Sequence, residues 1–205
     1  METLASSAIE WGVAARALLG QSSSGDRHIV KPFPRGVLLA AVDGLGHGDE
    51  AASAARIALA TLAARAEEPV VTVVQRCHEG LRATRGVVMS IASFNVAQGL
   101  MTWLGVGNVQ GVLLRCAATP VFPEESLLLR SGVVGVELPT LQAAMLSVSV
   151  GDTLVLSTDG IKSDFARQLV RNHLPQKAAE HILARYSKPT DDALVLVARY
   201  VGGST

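Results

Sequence analysis

Residues Val37 to Gly48 read Val-Leu-Leu-Ala-Ala-Val-Asp-Gly-Leu-Gly-His-Gly: apolar for the length of a strand, then one carboxylate, then a glycine-rich turn. Such a run predicts a buried strand that delivers Asp43 to a sheet edge. Gly44, Gly46 and Gly48 permit positive φ and close backbone approach, and Asp49 and Glu50 open an alanine-rich segment at the helix end that favours negative charge. A glycine-rich turn between strand and helix also cradles dinucleotide pyrophosphates, but that fingerprint needs G-x-G-x-x-G. Here Asp49 stands where the last glycine belongs, and Asp43 would set negative charge against the phosphates. A cation site suits the turn better; an aspartate that merely caps the turn is the plain structural alternative.

With 205 residues, 49% of them hydrophobic, the chain has enough apolar material for a substantial core, and residues 1–205 are expected to form a single domain. Eighteen lysines and arginines balance 18 aspartates and glutamates, which leaves no global field to draw in nucleic acid or an anionic membrane. Cys77 and Cys116 are too few for a disulfide framework, and Glu2 and Glu10 stand where a signal peptide carries basic residues, so a cytoplasmic protein is expected. Gly86 to Leu114 holds no charged residue and is long enough to span a membrane. Asn95, Gln98, Asn108, Gln110 and several glycines interrupt it too often for a lipid-facing helix, and its β-branched residues suit three consecutive buried strands.

Taken in order, Glu10 to Leu19 reads as a first strand, Gln21 to Gly25 as a turn, and Asp26 to Val30 as a second extended segment ending at Pro32 and Pro34. Val37 to Val42 is the third strand. Ala51, Ala55, Ala58, Leu59 and Leu62 predict an amphipathic helix from Asp49 to about Ala66, and Val70, Val74, Cys77 and Leu81 a second one starting at Pro69. After the uncharged strands, Ala117 to Leu141 carries three prolines and a Ser-Gly-Val-Val-Gly loop. Ala144 to Val150 and Thr153 to Ser157 are strands on either side of a Gly-Asp turn, Pro175 opens a helix that ends near Lys188, and Ala193 to Tyr200 is the last strand. Strands in two batches separated by helices suit antiparallel sheets covered by helices, not a parallel βαβ sheet.

Acidic residues thus stand at four strand ends: Asp26, Asp43, Asp159 and the pair Asp191-Asp192. Carboxylates converging in one cleft repel one another unless cations are present, and oxygen ligands select magnesium or manganese over zinc. His28, His47, His78, His173 and His181 show no zinc-site spacing; His47 is notable only for lying in the glycine turn. Cys77 to Arg82 is one residue short of the C-x5-R of a cysteine-nucleophile phosphatase, and no G-x-S-x-G element offers a serine nucleophile.

Ser24-Gly25-Asp26, Asp43-Gly44-Leu45-Gly46-His47-Gly48, Ser157-Thr158-Asp159-Gly160 and Asp191-Asp192-Ala193 together resemble the four acidic motifs of the metal-dependent protein phosphatase family (type 2C), in the bacterial branch typified by the stage II sporulation protein E phosphatase domain. The resemblance implies an α+β fold: a four-layer α-β-β-α sandwich of two antiparallel sheets packed face to face and flanked by helices. It also implies two Mn2+ or Mg2+ ions. Asp43 would bridge them, the Gly44 carbonyl and Asp26 would serve one, Asp159 and Asp191 would hold the other, and Asp192 would orient its neighbour. Asp43 and Asp159 carry the catalytic roles, and the implied reaction is hydrolysis of phosphoserine or phosphothreonine by a metal-bridging water. Asn108 stands where some members have an aspartate that helps hold a third metal. Arg16, Arg27 and Arg35 are the candidates for a phosphate-binding arginine. The chain's size resembles that of stand-alone stressosome phosphatases, which implies phosphorylated STAS-domain scaffold proteins as partners. A pseudophosphatase-type binding module and a hydrolase of small phosphate esters are the alternatives.

Overall fold

The computed structural model describes residues 8–21, 23–116, 124–165 and 173–203. Strands β1 (Ile9–Arg16), β2 (Asp26–Phe33) and β3 (Gly36–Gly44) are followed by helices α1 (Asp49–Ala64) and α2 (Val70–Leu81). Then come β4 (Val87–Asn95), β5 (Leu100–Val106), β6 (Gln110–Leu114), β7 (Glu124–Ser126), β8 (Leu129–Arg130), β9 (Ala144–Ser147), β10 (Thr153–Ser157), helix α3 (Pro175–Tyr186) and β11 (Ala193–Tyr200). One sheet has the order β1-β11-β10-β6-β7; the other has β2-β3-β4-β5-β8, with β9 also paired to β5. No helix among the described residues is long and apolar enough to cross a membrane.

The period-2 alternation of a strand explains why β3 is apolar throughout. Val37, Leu39 and Ala41 point into the space between the sheets, where they meet Phe94, Trp103, Leu154, Leu156, Leu194 and Leu196. Leu38, Ala40 and Val42 point the other way, under Ala54, Ala55, Ala58 and Leu62 of α1 and Val73, Val74, Cys77 and Leu81 of α2. On the opposite flank α3 lays Ala178, Ala179 and Ile182 on Val155, Val195 and Val197. The layers are therefore helices, sheet, sheet, helix, as the four-motif resemblance implies.

Three details differ from the sequence reading. The sheets are antiparallel except for a two-residue parallel pairing of β5 with β8. Residues 124–130, expected as part of the loop-rich Ala117 to Leu141 stretch, supply the short edge strands β7 and β8; their pairing with β6 and β5 is a tertiary contact that no local pattern announces. The rest of the Ala117 to Leu141 stretch lies partly outside the described residues. Finally, β6 does not pair with β5 but crosses to the other sheet and pairs with β10, so the turn Gly107-Asn108 lies where the chain passes between sheets.

Two glycines fix the turns at the cleft end of the sandwich. A Cβ on Gly44 would lie 2.1 Å from the Ala51 carbonyl oxygen of α1, and one on Gly160 would lie 1.8 Å from the Asp192 carbonyl oxygen. Only the missing side chain lets the turn after β10 touch the segment before β11. Gly160→Ala is expected to lower unfolding stability by at least about 2 kcal/mol, read from the urea midpoint at unchanged slope; a midpoint like that of the wild type would mean the turn relaxes freely.

Candidate metal centre

Asp26 opens β2 and Asp43 closes β3, and the antiparallel register sets the two directly opposite each other. Ser24 Oγ accepts the Asp26 N–H at 3.0 Å, so the Ser-Gly-Asp motif is a small side-chain-to-backbone turn that starts the strand. Gly44 N donates to Gly25 O at 3.2 Å, and a Cβ on Gly25 would sit 3.0 Å from the Gly44 oxygen, so that carbonyl lies against the Asp26 turn. Asp159 follows β10 and Asp191 precedes β11, neighbouring strands of the other sheet.

Asp43, Asp159 and Asp191 line a cleft of about 680 Å³, together with Leu18, Leu45, Gly46, His47, Asn108 and the 131–133 loop. Asp26 is only 4% exposed and lies behind Asp43. Among the described residues no three acidic, histidine or cysteine side chains close into a ready-made coordination shell. The carboxylates share an electrostatic field instead. Burial, with the charges of Asp26, Asp159, Asp191 and Asp192, raises the Asp43 carboxyl from 3.8 to about 8. Asp26 is raised to about 7 by burial and by Asp192, Asp159 and Asp191, against the lowering hydrogen bond from Thr158. Asp191 is also raised, first by burial and then by Asp159.

The remaining polar contacts are specific. Thr158 Oγ1 donates to Asp26 Oδ2 at 2.7 Å, Asn108 Nδ2 donates to Asp159 Oδ2 at 2.8 Å, and Asp192 N donates to Asp191 Oδ1 at 2.9 Å. Every one of the four carboxylates therefore keeps at least one oxygen without a donor among the described residues, and Asp43 keeps both. Unpaired, charged oxygen donors crowded in a cleft are a donor set for hard divalent cations.

Asp192 serves the loop more than its neighbour. Its Oδ1 accepts Leu18 N–H at 2.6 Å and its Oδ2 accepts Gly25 N–H at 2.8 Å, so it pins both ends of the β1–β2 connection. None of the three candidate arginines lines the cleft. Arg16 donates to the Lys188 carbonyl, the Arg27 Nε is buried without a partner among the described residues, and Arg35 lies in a separate groove beside Phe33 and Glu67. The cations that do approach went unread in the sequence. Lys188 Nζ donates to the Asp159 carbonyl at 2.5 Å, and Arg85 lies across Gly46, where a Cβ would be 2.9 Å from its Nη1. A lysine after a helix and an arginine before a strand carry no local signature. Cys77 is buried between α1 and α2, and burial pushes its thiol up to about 12, which removes it as a nucleophile.

The profile of the stage II sporulation protein E (SpoIIE) family matches residues 34–201. This chain belongs to the SpoIIE family. The enzyme is a serine/threonine phosphatase of the type 2C fold. It is 24% identical over 178 residues to the phosphoserine phosphatase RsbX of Bacillus subtilis (strain 168), covering 87% of each chain. A chain solved in work on the bacterial stressosome, as a modular system adapted to control secondary messenger signaling, superposes with TM-score 0.86 at 31% identity over 93% of this chain and 99% of that one. RsbX in complex with magnesium superposes with TM-score 0.83 at 23% identity, over 94% of this chain and 95% of that one. The catalytic domain of PstP with 2 manganese ions gives TM-score 0.68 at 18% identity, over 94% and 98%. The family match starts after Asp26, so in this SpoIIE-family phosphatase the inclusion of Asp26 in the cluster rests on its register with Asp43.

The raised carboxyls set a pH dependence of stability. Where the folded pKa lies above the unfolded 3.8, the folded state holds more protons than the unfolded one; stability is then full below about 3.8 and falls as pH rises through the folded values of about 7 and 8. The EDTA-treated protein is expected to melt at a higher temperature at pH 5.5 than at pH 8.5, and millimolar manganese is expected to shrink that gap. A melting temperature that rises across this window in EDTA would show that the cluster is not under charge strain.

Proposed function

We propose that the chain, as one phosphatase domain over residues 1–205, removes phosphate from phosphoserine and phosphothreonine on regulatory partner proteins with the help of two divalent cations, Mn2+ or Mg2+. Asp26, Asp43, the Gly44 carbonyl, Asp159 and Asp191 are the ligands in this reading, with Asp43 and Asp159 at the reacting centre. The observation that carries it is the pairing of Asp26 with Asp43 at adjoining strand ends, both raised far above the usual carboxylate range and both with oxygens lacking a donor. When bound, the cations supply neutralisation of the phosphate oxygens and a water acidic enough to attack phosphorus.

The chain's own residues supply the positioning. Asp43, with neither oxygen engaged among the described residues, would have both available to hold cations. Asn108 and Lys188 hold Asp159 from two sides, through its carboxylate and its carbonyl. His47 stands in the cleft wall. Asn108 brings no charge to the cleft, which favours two cations over three.

The partners in this reading are phosphorylated STAS-domain scaffold proteins of a stressosome, and the compartment is the cytoplasm. Support comes from the likeness to RsbX and to the chain from the stressosome work, each matched over most of its length.

Phosphate release is the direct test, measured on a phosphorylated STAS-domain protein, a phosphoserine peptide and p-nitrophenyl phosphate. Manganese or magnesium is expected to be required, EDTA to abolish turnover, and Cys77→Ser to leave it unchanged, with the phosphoprotein turned over at the highest kcat/KM. Turnover of p-nitrophenyl phosphate alone would favour a small-ester hydrolase, and turnover of nothing would favour a binding module.

A further inference from the structure

Asp26 and the residues that hold it belong to different sheets. Asp26 lies on β2, whereas Thr158 follows β10 and Leu194 lies on β11. The β10–β11 ladder runs regularly to Ser157 and Val195 and continues with Thr158 N donating to Leu194 O at 3.1 Å. The return bond is replaced: Leu194 N donates at 2.9 Å to the Thr158 hydroxyl. Accepting that N–H, the hydroxyl has its own proton free to point at Asp26 Oδ2, 2.7 Å away. Thr158 is 1% exposed and Asp26 4%, so the bond is shielded from bulk solvent.

We infer that Thr158 is a positioning residue: its hydroxyl, oriented by the Leu194 N–H, reaches across from one sheet to hold the Asp26 carboxylate of the other in the geometry that binds a divalent cation. The inference rests on the proposed two-cation site and adds to it a residue that touches neither cation nor substrate. Asp192, from the same sheet as Thr158, does the matching work on the main chain, through Gly25 N–H at 2.8 Å. The Asp26 side chain and the backbone of the residue before it are thus both bonded from the opposite sheet, and Asp26 Oδ1 has no donor among the described residues.

A hydrogen bond from a neutral donor to a buried carboxylate is strong enough that its loss should weaken cation binding about tenfold. The experiment is a manganese titration by isothermal calorimetry on the wild type, Thr158→Val, Thr158→Ser, Asp26→Asn and the double variant Thr158→Val with Asp26→Asn. Thr158→Val is expected to bind manganese about tenfold more weakly and Thr158→Ser within about twofold of the wild type. The double variant is expected to bind no more weakly than Asp26→Asn alone, because the threonine acts through that carboxylate. Additive losses in the double variant, wild-type affinity in Thr158→Val, or a tenfold loss in Thr158→Ser would each overturn the inference. Where the valine variant, which strands the Leu194 N–H, fails to fold, Thr158→Ala takes its place, with the same tenfold loss expected and wild-type affinity overturning the inference. Wild type that binds no manganese would instead overturn the two-cation site itself.

Discussion

Four carboxylates held at one end of a two-sheet sandwich repel one another, and the fold fixes the backbone of each at a strand end. Asp26 and Asp43 are locked opposite each other by the β2–β3 register, and Asp159 and Asp191 end neighbouring segments of the facing sheet. The apolar interior between the sheets, with Leu39, Phe94, Trp103, Leu156 and Leu196, fixes how closely the two pairs approach. Packing energy gathered over the whole interior is thereby concentrated as electrostatic strain at one edge. In the proposed function a divalent cation would relieve that strain, which would make cation binding and fold stability two readings of the same arrangement.

Hydrogen bonds crossing from sheet to sheet convert that crowding into a defined shape. Thr158 and Asp192 reach from the β10–β11 side to Asp26 and Gly25, while Asn108, in the chain's crossing from β5 to β6, reaches Asp159. Gly44 and Gly160 remove the side chains that would push the turns apart. Lys188 donates to the Asp159 carbonyl, not to a carboxylate oxygen of the cluster. The cleft is consequently ordered in its framework and strained in its charges, which suits a site whose metals exchange.

Much of this was legible in the sequence because the signals were local. An apolar run broken by Asp43 is a strand end whatever surrounds it, and β3, β10 and β11 lie where their hydrophobic runs place them. The helices followed from alanine and leucine spacing, with Ala64 rather than Ala66 as the end of α1. What stayed hidden is relational. No pattern within Gly107 to Leu114 tells that β6 leaves its hairpin neighbour for the other sheet, and β7 and β8 are too short to carry a period. The resemblance implies that Asp192 orients Asp191, and its N–H does bond that carboxylate, but its side chain goes to residues 18 and 25. Arg16, Arg27 and Arg35 are candidates for the arginine that the resemblance places near the start of the chain, but none of them lines the cleft.

Asp43→Asn tests the central claim most directly, since it preserves shape and removes the charge at the middle of the cluster. Melting curves of wild type and mutant with EDTA and with manganese separate strain from binding. The mutant is expected to melt higher than the wild type in EDTA at pH 8.5 and to gain less from manganese, because stabilisation follows RT ln(1 + [L]/Kd) and its Kd is weaker. A mutant that melts lower in EDTA, or gains as much from manganese, would make Asp43 a structural turn residue and contradict the metal-centre assignment.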